Sequence, residues 1–290
     1  MNLGLAYNRR GLTDKALKEY LIVLKIAPAT IHSNSADINV NIGITYLDMG
    51  DTDRAIHEFE TALKNNPDSE AAHTNLGIAY AKQGLTDKAI NKYLAALRIK
   101  PELADVHNNL GLAYETQGLT DKAINEYLAS LKINPDYVDA RVNLGIAYGR
   151  QGYIDHAINE FKSALKIDPS DAGARNNLGV AYAKQGLADK AINEYLSALK
   201  VKPDYADAHN NLGNAYADKG DIDKAIKEYL TALKIKPDYA DAHNNLGTCY
   251  ANTGRIIEAS NEFKEALRIN PQYTNARKNL EILSKGMIKR

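Results

Sequence analysis

A period of 34 residues constrains this chain more than any other feature. Leucine or isoleucine followed by glycine recurs at Leu3-Gly4, Ile42-Gly43, Leu76-Gly77, Leu110-Gly111, Leu144-Gly145, Leu178-Gly179, Leu212-Gly213 and Leu246-Gly247. Every step from Gly43 onward is 34 residues, and the first step is 39. A tyrosine follows each of these glycines by three residues, then come a second glycine such as Gly84 or Gly118 and an alanine such as Ala89 or Ala123. Tyr or Phe stands four residues beyond the alanine, and each unit closes on a proline, from Pro28 to Pro271. Self-similarity at a fixed period of this length marks stacked supersecondary units, not the two compact domains that 290 residues would otherwise suggest.

One unit reads as a helical hairpin. Leu110, Ala113 and Tyr114 have helical spacing and form the apolar face of a first helix, which Gly118 ends. Thr120 or Asp121 can cap a second helix carrying Ala123, Ile124, Tyr127 and Leu131, and Pro135 prevents its continuation. Gly111 and Ala123 are small enough to let the two helices approach closely. A single hairpin cannot bury its own apolar face, whereas a stack of them shares a continuous core.

The recurring set of Leu-Gly, Tyr, Gly, Ala, aromatic and Pro, repeated from Met1 to Tyr273, resembles the tetratricopeptide repeat family. The resemblance implies an all-α, right-handed superhelical solenoid of eight helix-turn-helix repeats and a capping helix. The repeats fall at residues 1–30, 36–69, 70–103, 104–137, 138–171, 172–205, 206–239 and 240–273. Residues 31–35 are an insertion that lengthens a loop or starts the next helix early, with a bend or hinge expected there. Residues 274–290 are a capping helix, Thr274 to Ser284, with Glu281 in place of the glycine, and a basic tail. The first repeat begins inside its first helix, so the chain reads as a piece of a longer protein. The family's usual tryptophan is replaced by His73, His107, His209 and His243, or by Arg141, Arg175 and Asn39. That polar ring implies looser contact at repeat boundaries or a wetter groove edge.

Asparagine is a poor helix former, because its amide competes for nearby backbone groups. Yet each first helix keeps one, at Asn2, Asn41, Asn75, Asn109, Asn143, Asn177, Asn211 and Asn245, and the capping helix adds Asn279. By the 3.6-residue period, Asp105, Asn108, Asn109, Leu112, Glu115 and Thr116 share a stripe apart from the core residues. The resemblance places first helices along a concave groove, so that this stripe faces a ligand. A carboxamide has an acceptor and two donors, so a row of them can grip a peptide main chain, each bond netting about 0.5–1.5 kcal/mol. The asparagine ladder of O-linked N-acetylglucosamine transferases is similar. The alternative is that the amides tie neighbouring repeats together.

Three residues past the asparagines stand Leu5, Ile44, Ile78, Leu112, Ile146 and Val180, and then Asn214 and Thr248. If exposed, this strip is apolar toward the N-terminus and polar toward the C-terminus; the alternative is packing against the adjacent helix. The candidate peptide-binding set is therefore Asn41, Asn75, Asn109, Asn143, Asn177, Asn211, Asn245, Ile44, Ile78, Leu112, Ile146, Val180 and Asn214.

Other classes are disfavoured. A carboxylate clamp for chaperone C-termini needs lysine beside the asparagines, where Val40, Thr74, Asn108, Val142, Asn176, Asn210 and Asn244 stand instead. The 36 basic and 36 acidic residues cancel, which favours neither nucleic acid nor an anionic membrane. No apolar run approaches the ~20 residues of a membrane span, and the start lacks the features of a signal peptide, so a cytoplasmic location is expected. His73, His107, His209 and His243 occupy one slot in separate repeats, too far apart to share a metal at ~2 Å. Cys249 reads as a small core residue, and Lys122 and Glu126 as solvated surface. With no nucleophile elbow, phosphate loop or dinucleotide fingerprint, neither an enzyme nor a cofactor is expected. The expected function is a scaffold that binds an extended peptide or partner segment in its groove. Two alternatives are the substrate-recruiting part of a larger enzyme, such as a glycosyltransferase, and a homo-oligomeric assembly scaffold.

Overall fold

A computed structural model describes residues 2–26 and 32–288, which contain 17 helices and no strand. The chain divides into two compact units, residues 1–147 and 148–290. The first holds α1 (Asn2–Arg9), α2 (Thr13–Ile26), α3 (His32–Asp48), α4 (Thr52–Asn65), α5 (Glu70–Lys82), α6 (Thr86–Ile99), α7 (Ala104–Thr116) and α8 (Thr120–Ile133). The division falls within α9 (Val138–Arg150). The second unit holds α10 (Ile154–Ile167), α11 (Ala172–Lys184), α12 (Ala188–Val201), α13 (Ala206–Asp218), α14 (Ile222–Ile235), α15 (Ala240–Asn252), α16 (Ile256–Ile269) and α17 (Thr274–Ile288).

Each hairpin is closed by local chemistry. After α7, Gly118 takes φ 73°, a left-handed conformation that glycine enters without a Cβ clash. The Gly118 N–H then donates to the Glu115 carbonyl and the Leu119 N–H to that of Tyr114, both at 2.9 Å. The second helix starts without the expected cap: Leu119 is the N-cap residue of α8, and no side chain caps it. The first-turn aspartate has another partner in the preceding hairpin, where Asp87 accepts from Gln117 Nε2 of the next hairpin at 2.5 Å. At the far end, Asn134 turns to an extended conformation just before Pro135.

Packing inside the hairpin depends on the helical glycine. A Cβ at Gly111 would lie 2.5 Å from Tyr127 Cε1, far inside van der Waals contact. The missing side chain thus makes room for an aromatic ring, and Leu110, Ala123 and Tyr127 are buried around it. The same fit recurs at Gly179 with Tyr195.

Within each unit the first helices of successive hairpins touch: α3 with α5 and α5 with α7, then α11 with α13, α13 with α15 and α15 with α17. No comparable contact joins second helices among the described residues. First helices therefore crowd together on one side of each unit, and their outward stripe forms the face on that side, the one the resemblance expects to be the inner surface. Residues 32–35 of the extra stretch enter helix, since α3 begins at His32 and has 17 residues against 13 in α5. Met1, Pro28, Ile31 and the last two residues of the basic tail lie outside the described residues. α17 continues past Ser284 to Ile288, and its Leu280 and Leu283 pack on the cluster that holds Leu246 and Tyr250.

Candidate binding groove

The paired asparagines divide into two jobs. The first of each pair is buried: Asn108 is 4% exposed, Asn176 6%, Asn210 5% and Asn244 7%. The shared stripe expected for Asn108 and Asn109 is thereby corrected, because one helical position turns Asn108 into the junction between hairpins. Each buried amide oxygen accepts from the second asparagine of the following hairpin. Asn143 Nδ2 donates to Asn108 Oδ1 at 2.9 Å, Asn211 to Asn176 at 3.0 Å, Asn245 to Asn210 at 3.1 Å and Asn279 to Asn244 at 3.2 Å. Such bonds satisfy polar groups that burial would otherwise penalise.

A rung forms wherever the upstream slot holds asparagine, and the exceptions follow from its absence. Upstream of Asn75 the slot is Val40, and Asn75 Nδ2 donates to the Ala71 carbonyl of its own helix at 2.8 Å. Asn41 likewise donates to the Asp37 carbonyl at 2.9 Å. Upstream of Asn109 stands Thr74, whose buried hydroxyl has no partner, and upstream of Asn177 stands Val142. No hydrogen bond holds the side chain of Asn109 or Asn177 among the described residues. All seven groove asparagines of the candidate set are half-buried, as are Ile44, Ile78, Ile146, Val180 and Asn214, while Leu112 is exposed. Ile44 and Ile78 pack partly against the core, so the strip is shared between the junction and the open surface.

Each unit has a cleft on this surface. In the first, Ile78, Asn109, Leu112, Lys82 and Tyr93 line a space of about 340 Å³. In the second, Asn214, Asn245, Asp218, Thr248 and Tyr229 line one of about 490 Å³. Tyr229 Oη donates to Asn214 Oδ1 at 2.8 Å, and Asn245 Nδ2 donates to the same oxygen at 3.0 Å. Burial pushes the Tyr93 hydroxyl up to about 12 and raises Tyr229 further, so both stay protonated donors. Lys82 and Asp218 lie outside the candidate set, although both stand seven residues past one of its asparagines, two helical turns along the same stripe.

The polar residues in the tryptophan slot make clasps, contrary to the looser contact expected of them. His107 Nε2 lies 3.1 Å from the Pro101 carbonyl and Nδ1 lies 2.7 Å from Glu126, joining the end of one repeat to both helices of the next. His209 with Pro203 and Glu228, and His243 with Pro237 and Glu262, repeat the arrangement. Arg175 reaches the Pro169 carbonyl at 2.7 Å and Glu194 at 3.5 Å, and Asn39 donates to Glu58 at 2.6 Å. Glu126 is thus half-buried in a clasp and is not the solvated surface group that its spacing suggested. Cys249 is buried, as its slot predicted. Among the described residues no three His, Cys, Asp or Glu side chains gather as a metal would require, and no helix is long and apolar enough to cross a membrane.

Sequence profiles of the tetratricopeptide repeat match residues 40–104 and 240–273, and a further TPR repeat profile matches 120–152, 150–186, 188–220 and 213–254. Together they cover most of the chain. No curated protein matches it in sequence. Among solved structures it is similar to the APC/C hetero-tetramer Cut9-Hcn1, with 19% identity, 93% of this chain and 52% of that chain covered, and a TM-score of 0.73. The chain therefore spans about half the length of that relative. It is also similar to a tetratricopeptide repeat protein from Parabacteroides merdae, with 20% identity, 87% and 99% covered, and a TM-score of 0.70. A third likeness is to YrrB, described as a TPR protein with an unusual peptide-binding site, with 24% identity, 61% and 93% covered, and a TM-score of 0.52. At these identities the structures speak for the fold.

Proposed function

The chain belongs to the tetratricopeptide repeat family, whose members mediate protein–protein interaction, and we propose that it is a non-catalytic scaffold holding an extended partner segment against its first helices. The observation that carries this reading is the pair Asn109 and Asn177. Both residues are half-buried and make no side-chain hydrogen bond among the described residues, while the junction work is done by the rungs at Asn143, Asn211 and Asn245. An amide paid out to a junction would serve stability alone. An amide left open, as at Asn109 beside the cleft of the first unit, offers two donors and an acceptor to a passing main chain. The chemistry is that of the asparagine ladder in O-linked N-acetylglucosamine transferases, and the peptide site named for YrrB lies on the same fold.

A two-site variant tests the reading. Dye-labelled peptides selected from a random-sequence library would be titrated against the wild type and against Asn109→Ala/Asn177→Ala by fluorescence anisotropy. Two lost bonds of about 0.5–1.5 kcal/mol each predict a loss of about five- to 150-fold in affinity with a melting temperature no lower than that of the wild type. Equal affinity for both proteins would contradict the proposal.

A further inference from the structure

The two clefts stand in the same register of their units and differ in chemistry. Asn214 occupies the position of Ile78, Thr248 that of Leu112, and Asp218 that of Lys82. In the first cleft the charged lining residue is Lys82, among aliphatic neighbours. In the second it is Asp218, among amides and a hydroxyl. Burial raises both Tyr229 and Cys249, so these two lining groups stay neutral and Asp218 alone charges the cleft. Lys219, next in the chain, is turned to Asp189 at 2.5 Å, and no cation pairs with Asp218 among the described residues. Asn214 is held by two donors on its oxygen, which fixes the amide's orientation and leaves Nδ2 as its donor.

We propose that the cleft between α13 and α15 receives a lysine or arginine side chain of the bound segment, with Asp218 facing its charged head and Asn214 Nδ2 donating to a neighbouring main-chain carbonyl. A space of about 490 Å³ admits a long side chain, and Ala217 and Ile222 give its methylenes an apolar wall. The charge-assisted bond to a carboxylate is the strong contact on offer there. The inference rests on the groove reading above and adds the chemistry of one subsite to it.

Parallel selections from one random peptide library, on the full wild-type chain and on Asp218→Asn and Asp218→Lys, test it. Lysine and arginine should be enriched at one position on the wild type, lose that enrichment on Asp218→Asn, and give way to acidic residues on Asp218→Lys. Asp218 is exposed, so both variants should melt like the wild type. As a second reading on the wild type alone, exchanging the selected lysine for norleucine should weaken a peptide by up to about fivefold at low salt. The same residue preferences in all three pools, or no loss with norleucine, would overturn the inference and leave the groove standing. Failure of the wild type to enrich any peptide would overturn the groove reading and this subsite with it.

Discussion

An imidazole with an acceptor at each nitrogen satisfies both only when doubly protonated, since a neutral ring has one N–H to give. His107 and His209 are in this position, and their pKa values are raised by the bonds to Glu126 and Glu228, which outweigh burial with help from the proline carbonyls. At His243 burial pulls downward most strongly, but Glu262, the Pro237 carbonyl and Glu265 together raise the value. His73 differs because Lys92 stands where the glutamates do, and burial lowers it. A raised histidine contributes stability that is complete below its unfolded value of 6.5 and is lost as pH rises through the folded value. The urea midpoint should therefore fall as pH rises above 6.5, and replacing His107, His209 and His243 by glutamine should flatten that dependence. His73→Gln should instead remove a loss of stability on the acid side of 6.5. The asparagines give a sharper contrast. Asn211→Ala breaks a rung and strands the buried Asn176 oxygen, for a loss of about 1–2 kcal/mol in urea unfolding. Asn109→Ala breaks nothing and gains helix propensity, so it should be neutral or stabilising by about 0.5 kcal/mol. Spacing along the sequence showed where these amides recur. It did not show that adjacent residues such as Asn108 and Asn109 part ways, because that depends on the residue 35 positions upstream in another helix.

The hairpin was the most legible element, because its determinants are local and repeat. The turn glycine, the helical glycine under an aromatic ring and the closing proline each act within one or two helices. What escaped the sequence were side chains shared between hairpins: Asp87 reads as a helix-start residue but bonds Gln117, and Glu126 reads as surface but clasps His107. Both partners lie across a turn or a repeat, beyond any pattern within one helix. The glycines yield a paired prediction. Gly111→Ala should cost about 1–3 kcal/mol, because its Cβ would meet the buried Tyr127 ring at 2.5 Å. Gly149→Ala, in α9, meets nothing nearer than 3.9 Å and should stabilise by about 0.5–1 kcal/mol. Thermal unfolding of the two single variants reads both signs.

At the scale of the molecule, stability in a repeat array is the sum of hairpins and their nearest-neighbour junctions. The last junction in the second unit is made by α17, whose Leu280 and Leu283 cover the cluster around Leu246 and whose Asn279 forms the final rung. Deleting residues 274–290 should lower hydrogen-exchange protection in α15 and α16 and leave α11 and α12 nearly unchanged. The inner surface depends on the same stacking, since a groove residue is open only where no neighbouring hairpin claims it. The most direct measurement is of the side-chain amide resonances of the groove asparagines by nuclear magnetic resonance, titrated with a library-selected peptide. The predicted result is that Asn109 and Asn177 shift and gain protection from exchange at saturation, while the rung amide of Asn211 keeps the bond it already has. Binding that saturates with Asn109 and Asn177 unmoved would contradict the claim that these amides hold the partner's main chain.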